Sequence, residues 1–436
     1  MDRIDGRKTT ERMGREVEDY LKYDDQFLQD VFNKFTNERY LNKVEILYRI
    51  QNEYLQLRAN IWNDIERKRK SISKKIPLTD QKGENFWYVV PPFMEKNIHE
   101  IDFIAKKEID HLATQEIQKN LIEESLIDEA FYSSVIEGAF STKKRTSELI
   151  KKRNPQNKSE KMILNNHNAL IFILENLHKD LNEEIFITLH KIVTEETLDK
   201  DDITEKYRDD MVYVWDENAV KTEPLYTAPP HTEVQQMMDQ LFDFIDEEEP
   251  FIHPIIKACI IHFYIVYIHP FFDGNGRVAR AFSYMYLLKN HYDFFKFFSI
   301  SSVVNRKRKK YYQSIKDTED YDGDLSYFII SYIEMTKESI NDTIEKLINE
   351  LTHKALFKTL EEDEIILNER QKKYLNYIKK KESNITTISE YEKKMKVAYE
   401  TARRDLTELA ELGLFKKMKK GRKFIFKYLG IKGYMQ

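Results

Sequence analysis

Twelve consecutive residues, His269 to Arg280, read HPFFDGNGRVAR. Histidine alone has an unperturbed pKa near neutrality, so His269 can take a proton from a hydroxyl. Gly274-Asn275-Gly276 is flexible backbone, and AFSYMYLL after Arg280 continues as an apolar helix. Main-chain N–H groups at that helix start can converge into an anion cradle, helped by the positive end of the helix. Arg277 and Arg280 lie three apart on its first turn, and planar guanidiniums suit phosphate oxygens. Asp273 is a poor phosphate ligand but a good ligand for a Mg²⁺ ion shared with phosphates. The set describes a nucleoside triphosphate site with a base beside it.

Two common phosphate-binding designs are excluded. The sequence has no GxxxxGK[ST] run, so a P-loop fails, and it lacks the VAIK, HRD and DFG set of protein kinases. The stretch does resemble the Fic family, whose motif is HPFx[DE]GNGRxxR. His269 to Arg280 match every fixed position of it, and the resemblance extends weakly over about residues 115–295. It implies transfer of AMP from ATP to a protein hydroxyl of Ser, Thr or Tyr. His269 would be the base and Asp273 the Mg²⁺ ligand. The backbone of Gly274, Asn275 and Gly276 would receive phosphate oxygens, with the Asn275 side chain helping. Arg277 and Arg280 would bind the outer phosphates, and Phe271 would anchor the loop in the core.

Two further stretches gain meaning from this resemblance. Residues 211–231 read MVYVWDENAVKTEPLYTAPPH, two short strands around a polar turn. They resemble the β-hairpin flap of Fic domains, which holds a target segment by strand pairing. The flanking Tyr207-Arg208 and YTAPPHTEV resemble the segments that border that flap. Upstream, FYSSVIEGAF at 131–140 fits the pattern [ST]xxxE[GN] through Ser133, Glu137 and Gly138. Ser133 and Glu137, four apart, share a helix face, and Gly138 suits the position after a helix end. The resemblance implies an inhibitory helix at about 121–138 in which Glu137 pairs with Arg280 in place of the ATP γ-phosphate. In some relatives the same glutamate serves removal of AMP from the target, and the sequence leaves that open.

These residues need a scaffold. The chain has 436 residues, 41% hydrophobic, with 11 Gly and 10 Pro. That composition predicts a mainly α fold of several domains. ACIIHFYIVYIHPFF at 258–272 is too short and too rich in histidine for a membrane span and reads as a buried helix. His262 within it has no ligand partners and reads as a core residue. Lys74 to Phe93, with Pro and Gly, reads as a connection, Thr232 as the N-cap of a helix, and the EEDE run at 361–364 as a linker. The expected organisation is an N-terminal helical region (1–97), a Fic-type helical core with its flap (98–303), a helical linker region (304–368) and a C-terminal domain (369–436).

The C-terminal region has its own pattern. From Arg370 to Gln436 it holds 19 Lys and Arg against 7 Asp and Glu, a net +12, so the remainder carries −17 of the chain's −5 total. A basic module on an acidic body suggests a polyanion partner. NERQKKYLNYIKK, ISEYEKKMKV and YETARRDLTELAELGLF read as three helices, and GLFKKMKKGRKFIFKYL as two strands. The order resembles a winged helix-turn-helix domain. Tyr399, Arg403 and Arg404 would then face a DNA major groove, and Lys419, Lys420, Arg422 and Lys423 would contact phosphates.

The leading reading is an autoinhibited protein adenylyltransferase, possibly self-modifying in the sense that its own hydroxyls are available targets. Two rivals stay open: a DNA-binding regulator that uses the site as a nucleotide sensor, and transfer of another phosphate-containing group. A single cysteine, Cys259, fits a reducing compartment. With a polar start and no apolar span, this points to a cytoplasmic protein with no membrane partner. The N-terminal helices and the habit of the family point to a homodimer.

Overall fold

Sparse glycine and proline give a chain built chiefly of helices. The computed structural model describes residues 25–50, 58–112, 115–214, 226–379, 381, 383–420 and 423–435. The chain divides into two units, Met1–Ile340 and Asn341–Gln436.

In the first unit, strands β1 (Lys74–Thr79) and β2 (Asn85–Tyr88) pair antiparallel. Sequence reading expected a connection here, and the difference has a simple cause. Ile76 and Leu78 alternate with exposed neighbours, Phe86, Trp87 and Tyr88 are buried, and Asp80 to Gly83 closes the turn. Helix α1 (Gln115–Ile136) packs on α2 (Lys158–Glu175), which packs on α3 (Glu183–Thr194). Strands β3 (Tyr213–Val214) and β4 (Tyr226–Thr227) pair antiparallel, Tyr213 opposite Thr227. These are the stems of the expected flap, and its turn lies outside the described residues. Helix α4 (His231–Asp246) follows, with Pro230 rather than Thr232 at its N-cap. The chain turns into the helix one residue sooner than the threonine signal suggested.

Helix α5 (Pro254–Ile268) is the expected buried helix, with Pro254 in its first turn and His253 capping it by accepting from the Ile255 N–H. It packs against α6 (Asn275–Lys289), and α6 also touches α1, α2 and α3. The loop between α5 and α6 is therefore held from several sides. Helix α7 (Arg308–Asp320) comes later in the same unit. No helix among the described residues is long and apolar enough to cross a membrane.

In the second unit, α8 (Glu369–Lys379), α9 (Ile388–Met395) and α10 (Tyr399–Glu411) precede β6 (Phe415–Lys420) and β7 (Lys423–Tyr428). This is the expected order of three helices and a hairpin. One element escaped sequence reading: the two-residue strand Ile385–Thr386 adds to the far edge of β7. It is too short to carry a period. Tyr374, Leu375, Tyr391, Leu406, Leu409, Phe415 and Phe426 form the core. The helix Ser326–Glu362 includes Glu361 and Glu362, so the acidic run marked as a linker is half helical.

Candidate active site

His269 ends α5. Its backbone turns left-handed (φ 52°, ψ 59°) while its N–H still bonds to the Ile265 carbonyl. Its Nδ1 lies 3.3 Å from the Val266 carbonyl, which can only accept, so Nδ1 carries the proton. The Nε2 lone pair is left as the basic atom. Burial lowers the pKa of His269 below the ordinary histidine value. The Val266 carbonyl and Glu137 act against that shift, and the Arg208 cation adds to it. The ring is thus kept in the neutral, proton-accepting form.

The loop after it is closed by side chains. Asn275 is buried, its Oδ1 accepting from the Phe271 N–H at 2.9 Å and its Nδ2 donating to the Phe271 carbonyl at 2.7 Å. Phosphate contact was expected of this side chain. Both of its ends are instead spent on the loop, because buried amide groups must be bonded. Phe271 is buried and stacks on the His190 ring, centroids 3.5 Å apart and planes 7° apart. His190 Nε2 lies 2.9 Å from the Asp273 carbonyl, and burial pushes its pKa down to about 4. A neutral His190 therefore donates through Nε2 to that carbonyl.

Gly274 takes φ 87° as the residue before α6. A Cβ there would lie 2.6 Å from Thr194 Cγ2, so both conformation and space select glycine. The N–H groups of Asn275, Gly276 and Arg277 fall in the first turn, where a helix offers no acceptor. This is an anion cradle by geometry.

Arg277 was expected on the outer phosphates. Its side chain is wholly buried, Nη1 donating to the Val193 carbonyl at 2.9 Å and Nη2 to Asp273 Oδ1 at 3.0 Å. In this conformation it braces α6 against α3. Asp273 Oδ1 also accepts from the Gly274 N–H, and the carboxylate is about two-fifths exposed (42%). Among the described residues no group of three or more metal-type ligands exists. One open carboxylate beside an anion cradle fits a hard cation that takes its other oxygens from phosphates.

Arg280 is buried and fully engaged with α1. Its Nε donates to Ser133 Oγ at 2.9 Å, and Nη2 donates to the Ser133 carbonyl at 2.9 Å and to Glu137 Oε1 at 2.8 Å. Burial alone would lower the pKa of Arg280, and the Glu137 carboxylate more than offsets this. A Cβ on Gly276 would lie 2.2 Å from Glu137 Oε1, so the carboxylate rests directly over the first turn of α6. Gly138, at φ 89°, turns the chain away just after it.

Several neighbours carried no local signal in the sequence. His190 and Thr194 sit in an ordinary amphipathic helix some eighty residues from the motif. Arg308 donates to the Ile136 carbonyl at the end of α1. The buried Tyr311 hydroxyl lies 2.8 Å from Nε2 of His262, which burial keeps neutral within the core, as its setting in the sequence predicted. In the second unit Tyr399, Arg403 and Arg404 are exposed on α10, at 48%, 61% and 67%. Arg403 and Arg404 lie near Glu400 and Glu408. Lys420 ends β6, and Arg422 lies outside the described residues.

Comparisons with known proteins agree with this geometry. The Fic/DOC family matches residues 180–287, which include the whole loop but not Ser133 or Glu137. A DeoR-like helix-turn-helix domain matches residues 370–427. A protein adenylyltransferase Fic of Nematostella vectensis is 27% identical over 51% of this chain and 50% of its own length. The protein of that name from Drosophila willistoni is 26% identical over 27% of this chain and 22% of its own. The chain thus spans half or less of these relatives. A Fic family protein from Desulfovibrio desulfuricans G20 shares the fold at a TM-score of 0.52 and 17% identity, over 79% of this chain and 98% of its own. Fic-1 (residues 134–508) of C. elegans does so at 0.50 and 19%, over 78% and 94%. The chain is a Fic-domain protein whose C-terminal region is a helix-turn-helix-like domain.

Proposed function

We propose that this protein transfers AMP from ATP to a hydroxyl of a protein, and that Glu137 restrains the reaction. The observation that carries the reading is the Glu137 carboxylate, bonded to Arg280 and seated over Gly276 at the start of α6. A carboxylate there marks where an anion is favoured, and it sits in the same loop system as a neutral, proton-accepting His269. The names of the curated relatives add the transferase class.

In this reading the phosphates of ATP lie along the first turn of α6. His269 Nε2 takes the proton of the target hydroxyl. The hydroxyl oxygen bonds to the α-phosphorus, the bond from the α-phosphorus to the bridging oxygen breaks, and pyrophosphate leaves with that electron pair. Asp273 would hold Mg²⁺, which supplies neutralisation of phosphate charge when bound. The protein's own contribution is positioning and fixed dipoles. Glu137 competes for Arg280, so an outer phosphate cannot take its place without breaking a largely buried ion pair. The flap stems β3 and β4 would receive the target backbone, with the protein's own hydroxyl groups among the available targets.

Label position tests the reaction type. ATP labelled on its α-phosphate should label protein, and ATP labelled on its γ-phosphate should not. Label arriving from the γ-position would replace AMP transfer with phosphate transfer.

A second reading concerns the C-terminal unit. The exposed Arg403 and Arg404 on α10 and the lysines of β6 and β7 favour DNA as its partner. A gel shift with duplex DNA that is lost in Arg403→Ala/Arg404→Ala tests it.

A further inference from the structure

We propose that Arg208 is the positioning residue that fixes the flap and the catalytic base to one another. This rests on the transferase reading above. Arg208 is 2% exposed. Its backbone N–H donates to the Pro270 carbonyl at 2.9 Å. Its Nε donates to the His269 carbonyl at 2.8 Å, and Nη2 to the Ile268 carbonyl at 3.3 Å. The same guanidinium reaches the two ends of the flap segment, Nη1 donating to the Asp210 carbonyl at 2.8 Å and Nη2 to the Pro229 carbonyl. One residue therefore holds three consecutive carbonyls around His269 and one from each flap stem.

The acceptors identify what the residue is for. Among the described residues, no carboxylate hydrogen-bonds to Arg208, and all its acceptors are main-chain carbonyls. A buried cation with only dipoles around it is costly unless every donor is used. The conformation it holds is itself unfavourable, since His269 is left-handed without being glycine. The rest of the flap stem is tied to the same place. Tyr226 donates to the Tyr267 carbonyl at 2.5 Å, and Gln81 Nε2 to the Thr227 carbonyl at 3.0 Å. A target strand laid on the flap would have its distance to His269 Nε2 set through the Arg208 fork. No hydrogen bond runs from Arg208 to residues 273–280, so the phosphate cradle is independent of it.

The test uses the full chain carrying Glu137→Gly, with Arg208→Met and, separately, Arg208→Lys added. A lysine keeps the charge but cannot fork to both stems and to His269. Hydrogen exchange should speed about tenfold in 209–214, 226–230 and 268–271, with the rest of the first unit unchanged. Calorimetry with Mg²⁺ and α,β-methylene ATP should give affinities within about twofold of the parent, while the rate of AMP incorporation falls ten- to a hundredfold. Unchanged exchange in those three segments, an unchanged rate, or ATP affinity falling as far as the rate would each overturn the proposal. If Arg208→Met loosens the whole unit, Arg208→Lys decides by the same criteria. If the Glu137→Gly parent incorporates no AMP, the transferase reading fails, and exchange alone decides whether Arg208 couples the two segments.

Discussion

Glu137 and Arg280, 143 residues apart in sequence, meet through a 2.8 Å bond directly above the Cα of Gly276. The arginine is 3% exposed and the glutamate 26%, so the pair is little screened by water. Breaking such a pair costs about 1 to 3 kcal/mol, between the values for exposed and buried pairs. An incoming phosphate must meet that cost. Glu137→Gly should therefore raise the initial rate of AMP transfer by roughly ten- to a hundredfold.

Ser133 belongs to the same latch, because its Oγ accepts from Arg280 Nε at 2.9 Å. Ser133→Ala removes one charge-assisted bond and leaves the glutamate in place. The expected release is partial, about three- to tenfold in rate, for about 1 kcal/mol. A rate equal to that of Glu137→Gly would show that the serine, not the carboxylate, holds the restraint.

The pH profile follows from the environment of His269. Its lowered pKa keeps the ring neutral to more acid pH than a free imidazole. The acid limb of kcat/KM should have its midpoint below the ordinary histidine value of about 6.5. Glu137 favours the protonated ring, so Glu137→Gly should move that midpoint further down. A midpoint above 7 in either protein would contradict the assignment of His269 as a buried neutral base.

His190 makes a separate prediction about stability. Its folded pKa of about 4 is below the unfolded value of 6.5. The unfolded chain therefore binds a proton first as pH falls. The contribution of His190 is fully present above about 6.5 and is lost between there and 4, on the order of 3 kcal/mol in all. Urea unfolding at pH 7 and pH 5 should show a smaller loss on acidification in His190→Gln than in the parent. Equal losses would mean that His190 is not held neutral by the fold.

Much of this site was legible because its chemistry is local. His269, Asp273, Gly274, Gly276 and Arg280 fall in one loop and one helical turn, so their spacing in sequence is their spacing in space. Glu137 was legible only through a pattern attached to a known family, since a lone glutamate near a helix end carries no signal. Asn275 and Arg277 show the limit. Their types suit phosphate, but burial spends their donors on Phe271, Val193 and Asp273. His190 and Arg208 act on carbonyls, and a carbonyl has no side-chain identity to read. The hairpin at Lys74–Tyr88 was missed because Pro77 and Gly83 hid the alternation around them.

The exposed arginines of α10 carry the prediction for nucleic acid. Arg403→Ala/Arg404→Ala should weaken binding to duplex DNA and lower the salt dependence, log K against log salt, by about 2 if both contact phosphates. Arg370, paired with the buried Asp405, is the contrasting case. Arg370→Ala should lower the stability of the second unit, read as a lower unfolding midpoint, because it leaves Asp405 without its cation.

The central claim is that His269 does the chemistry and Glu137 restrains it. The most direct measurement is the initial rate at which label from the α-phosphate of ATP enters protein. It is made with Mg²⁺ and a cell lysate, and compares the full chain, its Glu137→Gly variant and Glu137→Gly/His269→Ala. The account predicts a rate at least tenfold higher in Glu137→Gly than in the parent, and a return to background in the double variant. Equal rates in the parent and Glu137→Gly, or label that persists without His269, would contradict it.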